Sequence, residues 1–242
     1  MAVWYASPYF CEEALVRARH LYLGEAVSVF VWGESDVTTQ GDPNPYHFPE
    51  SEKEANVLTL RVPQISEDPR EQEDLTFQTW ATYVAAQCQD EDLIILSDAD
   101  ELIRREAITQ ANEQCVTYLT LQQYYFCYHP SYLRQVSWRC AKVFRGRFLK
   151  SLLRQGVLLH VFRHLKYEHP LRDAGWHLTN FGGSEMVAVK HRSFRHAKEN
   201  RLSYEEGMRT MKTPAGHPLV RVNPLDYFPS NLLDLLEVGY AH

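Results

Sequence analysis

The sequence predicts an α/β fold with a mainly parallel central sheet and helices on both of its faces. Three observations carry that expectation. Runs rich in β-branched and aromatic residues alternate with segments of helical apolar spacing through the first half of the chain. Glycine and proline clusters punctuate the alternation. The composition, 45% hydrophobic and 23% charged over 242 residues, is that of a globular chain able to bury a sizeable core.

Taken in order, residues 2–6 (AVWYA) read as a first strand, broken by Pro8. Residues 12–23 (EEALVRARHLYL) have helical spacing, with Gly24 as a stop. Residues 26–32 (AVSVFVW) read as a buried strand. Three prolines and a glycine make 41–49 a loop, and 56–62 (NVLTLRV) a third strand. Residues 66–74 form a polar linker and helix start, 75–88 a helix, 92–96 (DLIIL) a strand and 101–112 a helix. Beyond Cys115, 116–128 and 137–144 read as strands, and 147–165 is a basic segment of open type. Residues 175–183 are expected to be a glycine-punctuated loop, 193–211 a polar helix, and 223–240 the closing segment. No repeat or linker divides the chain, so residues 1–242 are read as a single domain.

The net charge of −6 argues against nucleic acid as a partner. Its distribution is uneven: residues 1–110 hold 21 acidic and 7 basic side chains, residues 134–201 hold 4 and 15. Either the two halves attract each other across one fold, or the basic half faces a phosphate-bearing ligand or surface. Five cysteines with no CxxC pair suit free thiols in a reducing compartment. No leader pattern or apolar run of membrane-spanning length is visible. These features predict a cytoplasmic protein. Lys142, Arg145, Arg147, Lys150, Arg154 and Arg163, interleaved with Phe and Leu, leave open a peripheral contact with an anionic membrane.

Residues 93–103 (LIILSDADELI) carry the first chemical signal, an apolar strand running into Asp98, Asp100 and Glu101. In an extended segment Asp98 and Asp100 point to one side, and such a pair repels unless something positive lies between. A hard divalent cation, Mn²⁺ or Mg²⁺, meets that need and takes phosphate oxygens as further ligands. The ordinary alternative is that the acids cap the following helix. The second signal is residues 174–200, which gather Trp176, His177, Asn180, Gly182, Gly183 and Glu185. Paired glycines admit close approach of backbone to a ligand, and His177 can ligate a metal or contact a phosphate. Each also has a plainer reading as turn, packed or exposed residue.

These blocks resemble glycosyltransferase family 17, the β-1,4-mannosyl-glycoprotein β-1,4-N-acetylglucosaminyltransferase family. YFCEEALVRARHL is similar to its early helix, at Glu12 and Arg19. VSVFVWGESDVTTQGDPNP resembles a strand-end block, at Glu34, Ser35, Gly41 and Pro43. DLIILSDADEL and AGWHLTNFGG resemble its two most specific signatures. The chain departs at Thr79-Trp80, where the family carries Arg-Asn after a helix glutamine. The resemblance implies a GT-A-like nucleotide-sugar-binding fold and a metal-dependent, inverting transfer of a sugar, N-acetylglucosamine by likeness. The donor is then a nucleotide-sugar, UDP-linked by preference, and the acceptor a glycan or lipid-linked hydroxyl. It also implies Asp98, Asp100 and His177 around Mn²⁺ or Mg²⁺, with Glu12, Arg19, Glu34, Ser35, Trp176, Gly182 and Gly183 at the donor. Glu185 and then Asp173, which flank the WH…GG block, are the candidate bases for the acceptor hydroxyl. Two rival classes are a non-catalytic nucleotide- or carbohydrate-binding module and a sugar-phosphate nucleotidyltransferase. The latter lacks its glycine-rich loop after the first strand.

Overall fold

The computed structural model describes the chain apart from residues 39, 45–47, 53–54, 166–169, 194–201 and 239–242. Four strands build a parallel half-sheet. β1 (Val3–Tyr9) lies between β2 (Val29–Ser35) and β4 (Leu93–Leu96), and β3 (Val57–Val62) pairs with β2. The expectation of a mainly parallel sheet holds for this half only. β8 (Lys142–Arg145) pairs antiparallel with β4 and with β6 (Tyr118–Cys127). β7 (Tyr132–Trp138) pairs antiparallel with β6, and the short β10 (Val220–Arg221) with β7. The order across the sheet is β10-β7-β6-β8-β4-β1-β2-β3, and β9 (Leu171–Thr179) branches from β6, parallel to it. The reason is topological: antiparallel partners need only a short connection, and the second half of the chain offers few long crossovers.

Alternation along the strands feeds two apolar layers. Tyr5, Phe30, Ile95 and Val143 pack on α1 (Glu13–Leu23), α3 (Arg105–Gln114) and α8 (Ser230–Val238) through Val16, Ile108 and Leu232. Ala6, Val31, Ile94 and Phe144 face α2 (Pro69–Gln87), α4 (Gly146–Arg154) and α5 (Leu159–His164) through Trp80, Leu149 and Phe162. Helices therefore cover both faces, as expected. Each fully buried Leu, Ile or Phe contributes about 1.5–3 kcal/mol relative to exposure, which fixes the strand register.

The helix start expected within 66–74 does lie there, at Pro69; a proline in the first turn loses no helical hydrogen bond. Several expectations are corrected. The helix expected over 101–112 starts at Arg105, because Glu101–Ile103 forms β5, antiparallel to β9. Burial overrides helix propensity here: all three residues of β5 are buried. The expected loop 175–183 is strand β9 as far as Thr179. Gly175 allows the pairing, since a Cβ there would stand 2.1 Å from the carbonyl oxygen of Leu102. The open segment 147–165 is helical as α4 and α5. Of the helix expected over 193–211, the described parts are the end of α6 (Gly183–Ser193) and α7 (Tyr204–Thr210); 194–201 lie outside the described residues.

Five of the six basic residues proposed to meet a membrane have partners inside the fold. Lys142 and Arg145 donate to backbone carbonyls, Arg163 to carboxylates, and Arg147 and Lys150 pair with Glu91 and Asp90. Only Arg154 of the set is simply exposed. No described helix is long and apolar enough to cross a membrane. All five cysteines are free thiols.

Candidate functional site

The parallel strands β1, β2 and β4 end at one cavity of about 530 Å³. Tyr9 and Phe10 reach it from β1, Gly33 and Ser35 from β2, and the turn from Asp98 to Asp100 from the end of β4. Helix α2 adds Gln72, Glu73 and Thr76, α5 adds His160, Arg163 and His164, and α6 adds Lys190 and His191. Tyr125, Arg134, Trp138 and His177 close the side formed by β6, β7 and β9. Ligands in α/β sheets bind at such carboxyl ends.

The acidic segment is a tight turn and not an extended strand. The amide of Glu101 donates to the carbonyl of Asp98 at 3.1 Å, and the Glu101 carboxylate accepts the Asp98 amide at 2.9 Å. Asp98 and Asp100 consequently meet different partners. Asp98 takes a two-pronged grip from Arg163, whose Nη2 lies 2.6 Å from Oδ2. Arg163 also reaches the Glu101 carboxylate at 3.3 Å, and the indole of Trp138 donates to it. Asp100 accepts from Lys190 at 2.7 Å and lies 3.4 Å from Nε2 of His177. Burial alone would raise the Asp100 pKa, but Lys190 and His177 together hold it well below the ordinary carboxylate range. Burial pushes Glu101 up, against the pull of Arg163.

Arg19 forms the floor beneath this turn. It is fully buried. Its Nη2 donates to the carbonyls of Asp98, Ala99 and Glu101 at 2.7, 2.8 and 2.9 Å, and Nη1 to Ser7 at 2.6 Å. The guanidinium is stacked over Tyr5 and Trp32. Arg19 thus positions the turn from behind and does not line the cavity.

The other expected residues divide. Glu12 lines the cavity, pairs with Lys190 at 3.2 Å and accepts the amides of Phe10 and Cys11. Ser35 lines it and accepts from Gln72 at 3.3 Å. Glu34 points away into the fold, where it accepts the Phe48 amide. Trp176 and His177 are neighbours in a strand and face opposite sides. His177 reaches the cavity and stacks on Trp138 at 4.2 Å. Trp176 lies in the core against Phe228, its indole donating to the Tyr227 carbonyl. Trp138, unremarked in the sequence, is the tryptophan of the cavity wall. Gly182 and Gly183 take positive φ in the turn entering α6 and do not line the cavity. Glu185 is exposed in the first turn of α6, outside the cavity lining. Asp173, also outside, accepts from the Tyr124 hydroxyl at 2.6 Å.

Gln72, Tyr125, Arg134, Trp138, His160 and Lys190 carry no signal in the sequence, and Arg163 stands out there only as one of the basic residues open to a membrane. The reason is that each is distant in sequence from the acids and comes near them only through the fold. His160 is the most notable. Its Nδ1 contacts Oδ1 of Asp74, and neither buried atom has another partner among the described residues.

The donor set does not fit a divalent ion as arranged. Both oxygens of Asp98 and both of Asp100 already face cationic or imidazole nitrogens. Among the described residues no group of three or more His, Cys, Asp and Glu side chains is placed to hold a metal. An ion at these carboxylates must first displace Arg163 and Lys190, both largely buried.

Compared with known proteins, residues 8–234 match the family model described as glycosyltransferase family 17. No curated protein matches the chain at a significant level.

Proposed function

Since the chain belongs to glycosyltransferase family 17, we propose that its glycosyl transfer takes a nucleotide-sugar into the cavity at the ends of β1, β2 and β4 and proceeds with inversion. The observation that carries this reading is the convergence of three parallel strand ends and the Asp98–Asp100 turn on one cavity. A GT-A-like arrangement fits that placement; the UDP-linked donor, with N-acetylglucosamine as the sugar, is taken from the family likeness alone. The acceptor is a glycan or lipid-linked hydroxyl.

In this reading the acceptor oxygen attacks the anomeric carbon, and the bond from that carbon to the diphosphate breaks. The reacting carbon passes through an oxocarbenium-like state. The hydroxyl proton goes to Nε2 of His160, whose Nδ1 is held by Asp74. His160 is preferred to Asp98, Asp100 and Glu12 because those carboxylates are each engaged by a cation. It is preferred to Glu185 and Asp173 because they lie outside the cavity lining. Trp138 and Tyr125 offer aromatic faces against which a sugar ring can pack.

The test is nucleotide release from a panel of nucleotide-sugars with glycan and lipid-linked acceptors. One donor class should turn over. His160→Gln should lower kcat by about 10²–10⁴-fold while leaving nucleotide affinity in place. Binding of a nucleotide-sugar without turnover by any acceptor would assign the chain to the non-catalytic class, and failure to bind any nucleotide would remove the reading altogether.

A further inference from the structure

Three Lys and Arg side chains line the cavity among the described residues: Arg134, Arg163 and Lys190. Two of them are already balanced. Arg163 is held by Asp98 and Glu101, and Lys190 by Asp100 and Glu12. Arg134 differs. No carboxylate pairs with it among the described residues, and its guanidinium lies over Tyr125, 5.1 Å from the ring centroid. It stands on β7 opposite Tyr125 of β6, whose ring neighbours the stacked pair of Trp138 and His177. The ring of Tyr125 lies 4.6 Å from that of His177, whose Nε2 faces Asp100. Arg134 therefore sits two side chains from the acidic turn.

An unbalanced guanidinium at the wall of a cavity attracts an anion. Its planar fork suits phosphate oxygens, and the aromatic face beneath keeps it weakly hydrated and oriented. Resting on the nucleotide-sugar reading above, we propose that Arg134 is the residue that binds the diphosphate of the donor and carries the negative charge of that group as it leaves. The neutralised pairs at Asp98 and Asp100 then shape and orient the site, and the net attraction for the phosphates comes from the β7 side. A phosphorylated acceptor would offer the same chemistry, so the test separates the two.

The measurement is calorimetric affinity of the full chain and of Arg134→Gln and Arg134→Lys for UDP, uridine, inorganic pyrophosphate and farnesyl phosphate, each with EDTA and with Mn²⁺. Arg134→Gln should weaken UDP and pyrophosphate by about tenfold or more, leave uridine unchanged, and keep the wild-type melting temperature. Arg134→Lys should recover part of the loss. Equal UDP affinity in wild type and Arg134→Gln overturns the assignment and leaves the nucleotide-sugar reading standing. An equal loss for uridine also overturns it, because Arg134 would then only support the wall. Arg134-dependent binding of farnesyl phosphate, with UDP indifferent to the substitution, overturns it in favour of the acceptor. Pyrophosphate held through Arg134 by a protein that takes up no nucleotide supports the anion site and removes the donor reading.

Discussion

Arg163 grips the carboxylate of Asp98 with both of its terminal nitrogens, across 65 residues of sequence. Lys190 does the same service for Asp100 from α6. An incoming divalent ion competes with both pairs. Millimolar Mn²⁺ should therefore leave the melting temperature of the ligand-free protein unchanged, because binding must exceed the cost of stranding two buried cations. A rise of several degrees would show that the two aspartates exchange partners readily. Asp100→Asn gives the control, since any rise that survives it arises elsewhere.

Arg19 supports the acidic turn from below. Arg19→Met should cost about 3–5 kcal/mol, since it strands three buried carbonyls and removes a fully buried, hydrogen-bonded charge. Urea unfolding measures the loss. Arg19→Lys should also be destabilising, because one ammonium cannot reproduce the forked contact with Ser7 and the turn. A variant within about 0.5 kcal/mol of wild type, the range of ordinary surface changes, would contradict the positioning role.

Gly175→Ala should destabilise by about 2–4 kcal/mol. Its φ of +151° is rare for residues with a side chain, and the new methyl would meet the Leu102 carbonyl oxygen at 2.1 Å. The strain falls on the β5–β9 pairing, which sets Glu101 opposite His177. Near-ultraviolet circular dichroism should change along with stability, since Trp176 lies on β9 and Trp138 stacks on His177 of the same strand. Retention of the wild-type spectrum and unfolding midpoint would show that β5 is dispensable.

Lys142 is fully buried and donates to the carbonyl of Arg139 at 3.0 Å. Burial pulls its pKa from 10.5 down to about 8. Between those values the unfolded chain holds a proton that the folded one lacks, so wild-type stability rises with pH across this window. Lys142→Met removes the buried ammonium. The variant should be more stable than wild type by about 1–3 kcal/mol at neutral pH, fully so below pH 8, with the gain shrinking as pH climbs toward 10.5. A gain that does not vary with pH would place its origin in packing alone.

The parallel half of the fold was legible because each of its strands is a separate apolar run bounded by turn residues. The acid cluster was legible as a strand end, but its geometry was not. Reading Asp98 and Asp100 as extended neighbours missed the turn, whose cause is the Glu101 side chain folding back onto the Asp98 amide. β5 was hidden because ELIRREAI has good helix formers throughout, and only burial against β9 decides otherwise. The WH pair reads as loop from sequence, which puts Trp176 at the cavity; in a strand, adjacent residues must face apart, and Trp138 takes that place. Charge segregation was visible, and of its two readings the structure displays attraction across one fold. Arg163–Asp98, Lys190–Glu12, Arg147–Glu91 and Lys150–Asp90 each join the basic stretch to the acidic half. Which cation meets which acid is a tertiary fact that no local pattern encodes.

The carbonyl of Tyr227 receives both Arg104, which precedes α3, and the indole of Trp176, while Phe228 lies flat against that indole. The tail thereby acts as a latch on the strand that carries His177. Shortening the chain ahead of this latch, or splicing a partner onto it, would loosen the far wall of the cavity while leaving every residue that lines it intact. Expression designs that treat the end of the polypeptide as expendable would then yield a folded but poorly assembled site.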